Sequence, residues 1–395
     1  PTLLALSSYF KGNRFLERAK AEGCRVFLLT TESTRHEPWA REALDDLFLV
    51  RTFADRRELI HTVAYLFRSI RFDRIVALDD YDVEVAAALR EHFRIDGLGD
   101  SDARFFRDKL AMRMRAKALG VRAPDFCPLF HDVDVTHFLE TVPAPWLLKP
   151  RAEASAVGIR KLHTKDEAWA HIHALGDARS DHLIERMIAG EMYHVDSLVS
   201  RGQVVFAVVS RYHKPLLEVA QGGGIYATRM LPRDAKERAT LTAINAKLLP
   251  GFGMRLGASH TEFIIGRDDG KAYFIETSAR VGGANIAEMV EGATGLNLWS
   301  EWAKLEIEGP DFAYEVPAAK DSYGGVIISL ARQEVPDTSS FTDPEIWYRL
   351  DKKHHIGLVV RSPDANRVEE LLTSYMQRIA VEFHAALPPA DRATS

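Results

Sequence analysis

Cysteine is nearly missing from this chain: Cys24 and Cys127 are the two among 395 residues. Two thiols cannot build a disulfide framework or a four-thiolate zinc site. They fit buried apolar positions in a reducing compartment. Long apolar runs are missing as well, and none approaches the roughly 18 residues that a membrane-spanning helix needs. The opening Pro-Thr-Leu-Leu-Ala-Leu-Ser-Ser lacks the basic start of a secretory leader. The expectation is a cytoplasmic protein with no membrane contact. Positive charge is in deficit, with 51 Lys and Arg against 56 Asp and Glu and a net charge of −5. No overall positive field is available for a polyanion, which speaks against a nucleic-acid partner. The first turn, Ser7-Ser8-Tyr9-Phe10-Lys11-Gly12-Asn13, lacks the G-x-G-x-x-G spacing of a dinucleotide site. No Ser/His/Asp or Cys/His signature of nucleophilic catalysis is visible either.

What is present is ordinary globular composition, 46% hydrophobic and 27% charged. At about 150 residues per domain the length suggests two or three domains. Over residues 1–100, apolar runs at 3–6, 25–29 and 75–78 alternate with helical patterns at 13–22, 57–70 and 81–92. That alternation implies βαβ units and a parallel sheet. A helix is expected over 102–119, stopped by Gly120 and Pro124. Strands at 146–149 and 182–185 flank a helix at 165–175. The pattern then turns antiparallel. Runs 193–199 and 204–211 read as one hairpin and runs 261–265 and 272–277 as a second, with a helix at 238–249 between them. Strands at 325–330 and 356–360 and a helix at 366–383 form a tail with renewed α/β logic. The organisation expected is an N-terminal α/β domain 1–100, a connecting helix 101–120, a small lid 121–190, an antiparallel catalytic part 191–312 and an α/β tail 313–395.

The second hairpin carries the most chemical information. A three-residue loop Asp268-Asp269-Gly270, with Gly270 in the left-handed region, places Glu262 directly opposite Glu276. Like charges directly opposite are destabilising. A divalent cation relieves that repulsion, and carboxylate oxygens are what Mg²⁺ takes. Ser278 and Arg280 then share the face by period two. Carboxylates, metal and guanidinium together would make a polyphosphate clamp. A two-residue loop Asp269-Gly270 shifts the register by one and sends the glutamates to opposite faces. Pattern alone leaves both registers open.

In order along the chain stand Arg107-Asp108-Lys109-Leu110, Leu147-Leu148-Lys149-Pro150, Leu183-Ile184-Glu185-Arg186-Met187-Ile188-Ala189-Gly190, then Glu262, and Glu276 with Arg280. This set resembles the ATP-grasp superfamily. His260-Thr261-Glu262 and the run from Glu276 to Ala279-Arg280-Val281-Gly282-Gly283 are most similar to its carboxylate–amine ligases, among them the L-amino-acid ligases. The resemblance implies an ATP-grasp fold of mixed α/β and α+β class. It implies ATP with Mg²⁺ or Mn²⁺ as cofactors, small carboxylate and amine substrates such as amino acids, and an amide product reached through an acyl phosphate. Homodimers are common in the family. Carboxylase-type enzymes, kinases and non-catalytic nucleotide-binding regulators share the scaffold.

By the same resemblance, Lys109 and Lys149 face the phosphates and Ser155 sits in the loop 151–158 over them, a loop poorer in glycine here than in the family. Backbone groups near Glu185 and Met187 read the adenine. Glu191 or His194 holds the ribose, with His194 favoured, because the family's usual glutamate position is Met192. Glu262, Glu276 and Ser278 form the metal set, with Ser278 where the family has asparagine. Arg280 faces the γ-phosphate, the substrate carboxylate or the acyl phosphate, and His260 faces the substrate. Asn285 is a weaker substrate-site candidate. The stretch 221–226, Gln-Gly-Gly-Gly-Ile-Tyr, reads as a mobile flap led in by Arg211 and Lys214.

Overall fold

The computed structural model describes residues 1–154 and 156–386. Ser155 therefore lies outside the described residues. Near the N-terminus, four parallel strands stand in the order Asp46–Val50, Arg25–Thr31, Thr2–Ser7, Arg74–Ala77. Thr2–Ser7 is buried throughout, as a strand covered on both faces must be. Helices Asn13–Ala21, Arg56–Phe67 and Val83–Phe93 complete the expected βαβ pattern. The sequence reading missed Asp46–Val50, because this edge strand is only half-buried and shows no strong alternation.

The helix expected over 102–119 is broken. A short turn Asp100–Ala103 leads through Arg104–Phe106, and the main helix Lys109–Ala118 starts afresh. The cause is local. The Asp108 carboxylate accepts from the amides of Leu110 and Ala111, capping a new N-terminus, an arrangement worth about 1 kcal/mol. Lys109 thereby becomes the first residue of a helix.

The lid is a four-stranded antiparallel sheet, ordered Phe126–Pro128, His182–Arg186, Trp146–Pro150, Arg160–Leu162. Helices Asp132–Thr141 and Lys165–Ala174 cover it. Beyond it runs an eight-stranded antiparallel sheet, Ala272–Ser278, Gly257–Gly266, Gly190–Ser200, Gln203–Tyr212, Tyr226–Met230, Tyr323–Leu330, His355–Ser362, Ile346–Arg349. Both expected hairpins lie in it. The sheet runs straight through the expected boundary at residue 312. Tyr226–Met230 pairs with Tyr323–Leu330, so strands of the tail continue the large sheet. Both cysteines are buried and free. Among the described residues, no helix is long and apolar enough to cross a membrane.

Candidate active site

A cleft of about 950 Å³ opens between the lid and the large sheet. Lys109, Lys149, Glu185, Met187, Glu191, His260, Glu262, Glu276, Ser278 and Arg280 all line it. Residues more than 170 apart in sequence thus meet in one cavity.

Glu262 pairs with Glu276, and His260 with Ser278, in the second hairpin. The pairing arises differently from the expectation. Gly266 and Lys271 close the turn, since the Gly266 amide donates to the Lys271 carbonyl at 2.9 Å. The loop is therefore the four residues 267–270, and near the turn Ile265 pairs with Ala272. A bulge between Glu262 and Phe263 then shifts the ladder by one, leaving Ile275 as the extra residue. Turn and bulge compensate, and the two glutamates face each other. The Ile275 carbonyl accepts from Arg113.

Neither glutamate stands alone. Lys109 Nζ lies 3.0 Å from Glu276 Oε2. Burial alone would raise the Glu276 carboxyl, and Lys109 outweighs it and holds the group below its ordinary value. The Tyr212 hydroxyl donates to Glu262 Oε1 at 2.9 Å, with His260 Nε2 3.4 Å from the same oxygen. Those contacts engage one oxygen of each carboxylate. The donor set is oxygen only, two facing carboxylates with Ser278 two residues beyond Glu276 on the cleft wall, its hydroxyl bonded to Asp80, and oxygen donors are what Mg²⁺ requires. The residues present therefore fit a divalent hard cation.

A buried ion cluster backs the lid side. Glu185 is 1% exposed. It pairs with Lys149 through Oε1 and with Arg113 through Oε2, where Arg113 Nη2 lies at 2.8 Å. Burial would raise the Glu185 carboxyl, but Arg113 and Lys149 hold it below its usual range. The Met187 amide, one of the backbone groups expected to read the adenine, is already engaged, donating to the Pro145 carbonyl at 3.0 Å.

A second buried cluster lies within the large sheet. Asp196 accepts from two imidazoles, His194 Nδ1 at 2.6 Å and His260 Nδ1 at 2.8 Å. Burial would raise Asp196, yet the two histidines pull its carboxyl far below the ordinary value. Burial would lower His260, and Asp196 outweighs it, pushing His260 up to about 9. His194, favoured above for the ribose, does not reach the cleft. It is fully buried, its Nε2 lies 2.8 Å from Thr228 Oγ1, and the Tyr212 ring packs against it at 4.7 Å between centroids. Glu191 does line the cleft, held by Tyr193 at 2.6 Å and Arg211 at 3.1 Å.

Several groups in or beside the cleft escaped the sequence reading. Asp80 is buried against Arg107, with Arg280 Nε 4.0 Å from its second oxygen. Burial would raise the Asp80 carboxyl, and the two guanidiniums hold it below its ordinary value. Arg113 was legible only as the residue four after Lys109, on the same helix face. Asp196 was legible only as sharing strand parity with His194. The expected flap is partly helical. Leu216–Gly222 is a short helix whose C-terminus is closed by Gly223 at φ 59°, and Leu216, Leu217 and Val219 line the cleft. Asn285 does not line it and donates to Glu288 at 3.2 Å.

The family model described as the ATP-grasp N-terminal domain matches residues 16–95. The L-arginine-specific L-amino acid ligase of Bacillus subtilis is 22% identical over 300 residues, 74% of this chain and 72% of that protein. The crystal structure of an L-amino acid ligase from Bacillus licheniformis superposes with a TM-score of 0.77 at 18% identity, covering 99% of each chain. The biotin carboxylase domain of the Hydrogenobacter thermophilus 2-oxoglutarate carboxylase, solved with MgADP and bicarbonate, gives a TM-score of 0.68 at 15% identity over 96% of this chain and 90% of that one. The fold and the ligase relative agree with the ordered motifs of the sequence: the chain matches the ATP-grasp N-terminal domain over residues 16–95 and is similar along most of its length to L-amino acid ligases.

Proposed function

We propose that this protein joins a carboxylate to an amine at the expense of ATP, with amino acids as the substrates and a dipeptide or related amide as the product. The observation that carries the reading is the facing pair Glu262 and Glu276, set in one cleft with Lys109, Lys149 and Arg280. Glu262, Glu276 and Ser278 would hold Mg²⁺, which when bound neutralises phosphate charge during phosphoryl transfer.

The chain's own residues then have distinct tasks. Lys109 and Lys149 bind phosphate oxygens as compact charges. The hinge around Glu185 and Met187 holds the base, and Glu191 binds the ribose. Arg280 steadies the γ-phosphoryl group and the substrate carboxylate. The carboxylate oxygen attacks the γ-phosphorus, the bond to ADP breaks, and an acyl phosphate forms. The amine nitrogen then attacks the acyl carbon, inorganic phosphate leaves, and the nitrogen sheds a proton. Leu216, Leu217 and Val219 of the helix Leu216–Gly222 would help keep water from the acyl phosphate.

The test is a phosphate-release screen of amino-acid pairs with Mg²⁺ and ATP. Release that needs both a carboxylate and an amine supports the ligase reading, and release with one acceptor alone points to a kinase. Hydroxylamine in place of the amine should give a hydroxamate. ATP consumption without hydroxamate would sink the acyl-phosphate route. Nucleotide binding without turnover on any pair would leave a regulatory ATP-binding protein.

A further inference from the structure

Arg113 does not line the cleft, yet it is the largest fully buried side chain among the described residues, at 0% exposure. Its guanidinium makes three kinds of contact. Nε donates to Glu185 Oε2 at 3.0 Å, Nη2 pairs with the same oxygen at 2.8 Å, and Nη1 donates to the carbonyl of the bulge residue Ile275. Lys149 occupies the other Glu185 oxygen and lines the cleft. One carboxylate therefore faces two cations, and the cluster carries one net positive charge. Arg113 is enclosed behind the cleft wall, so the surplus charge is Lys149, the cation on the open side.

We infer that Arg113 is a positioning residue: by neutralising Glu185 from behind, it frees the ammonium of Lys149 for nucleotide phosphate. This rests on the reading that the cleft binds a nucleotide. Without Arg113, Lys149 would be the sole counterion of a buried carboxylate, and drawing it toward phosphate would strand that charge. The guanidinium suits the role because its fork serves Glu185 and the Ile275 carbonyl together and cannot be deprotonated in a protein. It also ties lid to sheet, since Glu185 lies on the lid strand and Ile275 on the hairpin that carries Glu276.

The experiment is titration of the full-length protein with MgADP, which needs no knowledge of the substrates. Arg113→Gln should weaken MgADP binding at least tenfold, about the worth of one charged hydrogen bond. Arg113→Lys keeps the charge and should stay within about threefold of the parent, since Glu185 remains neutralised. Because Glu185 also belongs to the hinge, the double variant Arg113→Gln/Glu185→Gln is compared with Glu185→Gln alone: with no carboxylate left to neutralise, adding Arg113→Gln should change binding by less than about threefold. A purely structural role for Arg113 would weaken binding as much in the Glu185→Gln background as in the parent. Parent-like binding by Arg113→Gln, equal weakening in Arg113→Lys, or the full weakening in the Glu185→Gln background each overturns the inference. If Arg113→Gln does not fold, Arg113→Lys and the comparison in the Glu185→Gln background decide it, and failure of either expectation overturns it. Absence of MgADP binding by the parent protein overturns the nucleotide reading itself, and this inference with it.

Discussion

Two kinds of carboxylate meet around the cleft. Glu185 and Asp196 are closed: each oxygen of each group faces a cation or an imidazole, and neither side chain exceeds 1% exposure. Glu262 and Glu276 are half-engaged, with contacts to one oxygen each, Tyr212 and His260 on one and Lys109 on the other. The closed pair has its charge balanced within the protein and holds elements together, lid to helix in one case and strand to strand in the other. The half-engaged pair keeps acceptor capacity in a cavity. The difference separates acids that maintain shape from acids available to a ligand: Glu185, Asp196 and Glu262 are buried, and Glu276 is partly open to the cleft.

The largest effect should come from opening that distinction at the half-engaged pair. Glu276→Gln and Glu262→Gln keep shape and remove one charge. Turnover should fall by several orders of magnitude, because metal charge stabilisation is worth several kcal/mol. Near-normal turnover in both variants would remove the metal assignment. The stability effect is expected to differ from what mutual repulsion alone implies. Glu276→Gln leaves buried Lys109 without its carboxylate, so denaturant unfolding should show a loss of about 1–3 kcal/mol rather than a gain. A more stable Glu276→Gln protein would mean that repulsion between the glutamates outweighs the Lys109 pair.

The closed cluster at Asp196 gives an intermediate effect with a definite sign. His260 is pushed up to about 9 in the folded protein, against about 6.5 for a free imidazole. A raised folded value stabilises fully below the unfolded pKa, and that contribution is lost as pH rises through the folded one. Stability should therefore decline between about pH 6.5 and pH 9 by a contribution on the order of 3 kcal/mol. Denaturant midpoints measured across that window should show the slope in the parent protein. His260→Asn should flatten it. A slope unchanged by that substitution would place its origin in another group.

The same contrast governs what could be read from sequence. The half-engaged acids were legible because Glu262 and Glu276 sit at fixed offsets from a turn, and local backbone rules reach that far. Their facing register was reached through a three-residue loop that the protein does not use. The turn holds four residues and a bulge at Ile275 restores the pairing. That bulge is anchored by Arg113, which stands 162 residues away in sequence, so no local rule could supply it. The groups that close the two clusters were illegible for the same reason, although Lys149, Glu185, His194 and His260 had been singled out individually. Arg113 and Asp196 act through partners on other elements, and both look like ordinary charged residues until the chain is folded. His194 shows the opposite failure. Strand parity placed it beside Met192, but parity fixes a face and not a depth, and Tyr212 covers it. The break before Lys109 was missed because the Asp108 cap competes with an otherwise continuous helical pattern.

The smallest effect, and the finest test of the closed cluster, lies in two adjacent glycines after Arg280. A Cβ at Gly282 would meet Asp196 Oδ1 at 2.7 Å and His260 Nδ1 at 2.9 Å, whereas a Cβ at Gly283 would meet nothing within 4 Å. Neither glycine has a left-handed backbone, so alanine is conformationally allowed at both. Gly283→Ala should be neutral or stabilise by about 0.4–1 kcal/mol, through the lower entropy of the unfolded chain. Gly282→Ala has to separate the Asp196–His260 hydrogen bond or lift the turn that carries Arg280, and overpacking of this kind costs about 1–3 kcal/mol. Because the damage falls on that hydrogen bond, Gly282→Ala should also lessen the alkaline slope attributed to His260, while Gly283→Ala should leave it intact. Thermal and denaturant unfolding of the two variants at pH 6.5 and pH 9 makes the comparison. Equal stabilities, or a slope preserved in Gly282→Ala, would mean that the turn gives way elsewhere and that the Asp196 cluster is not the surface on which the Arg280 loop is seated.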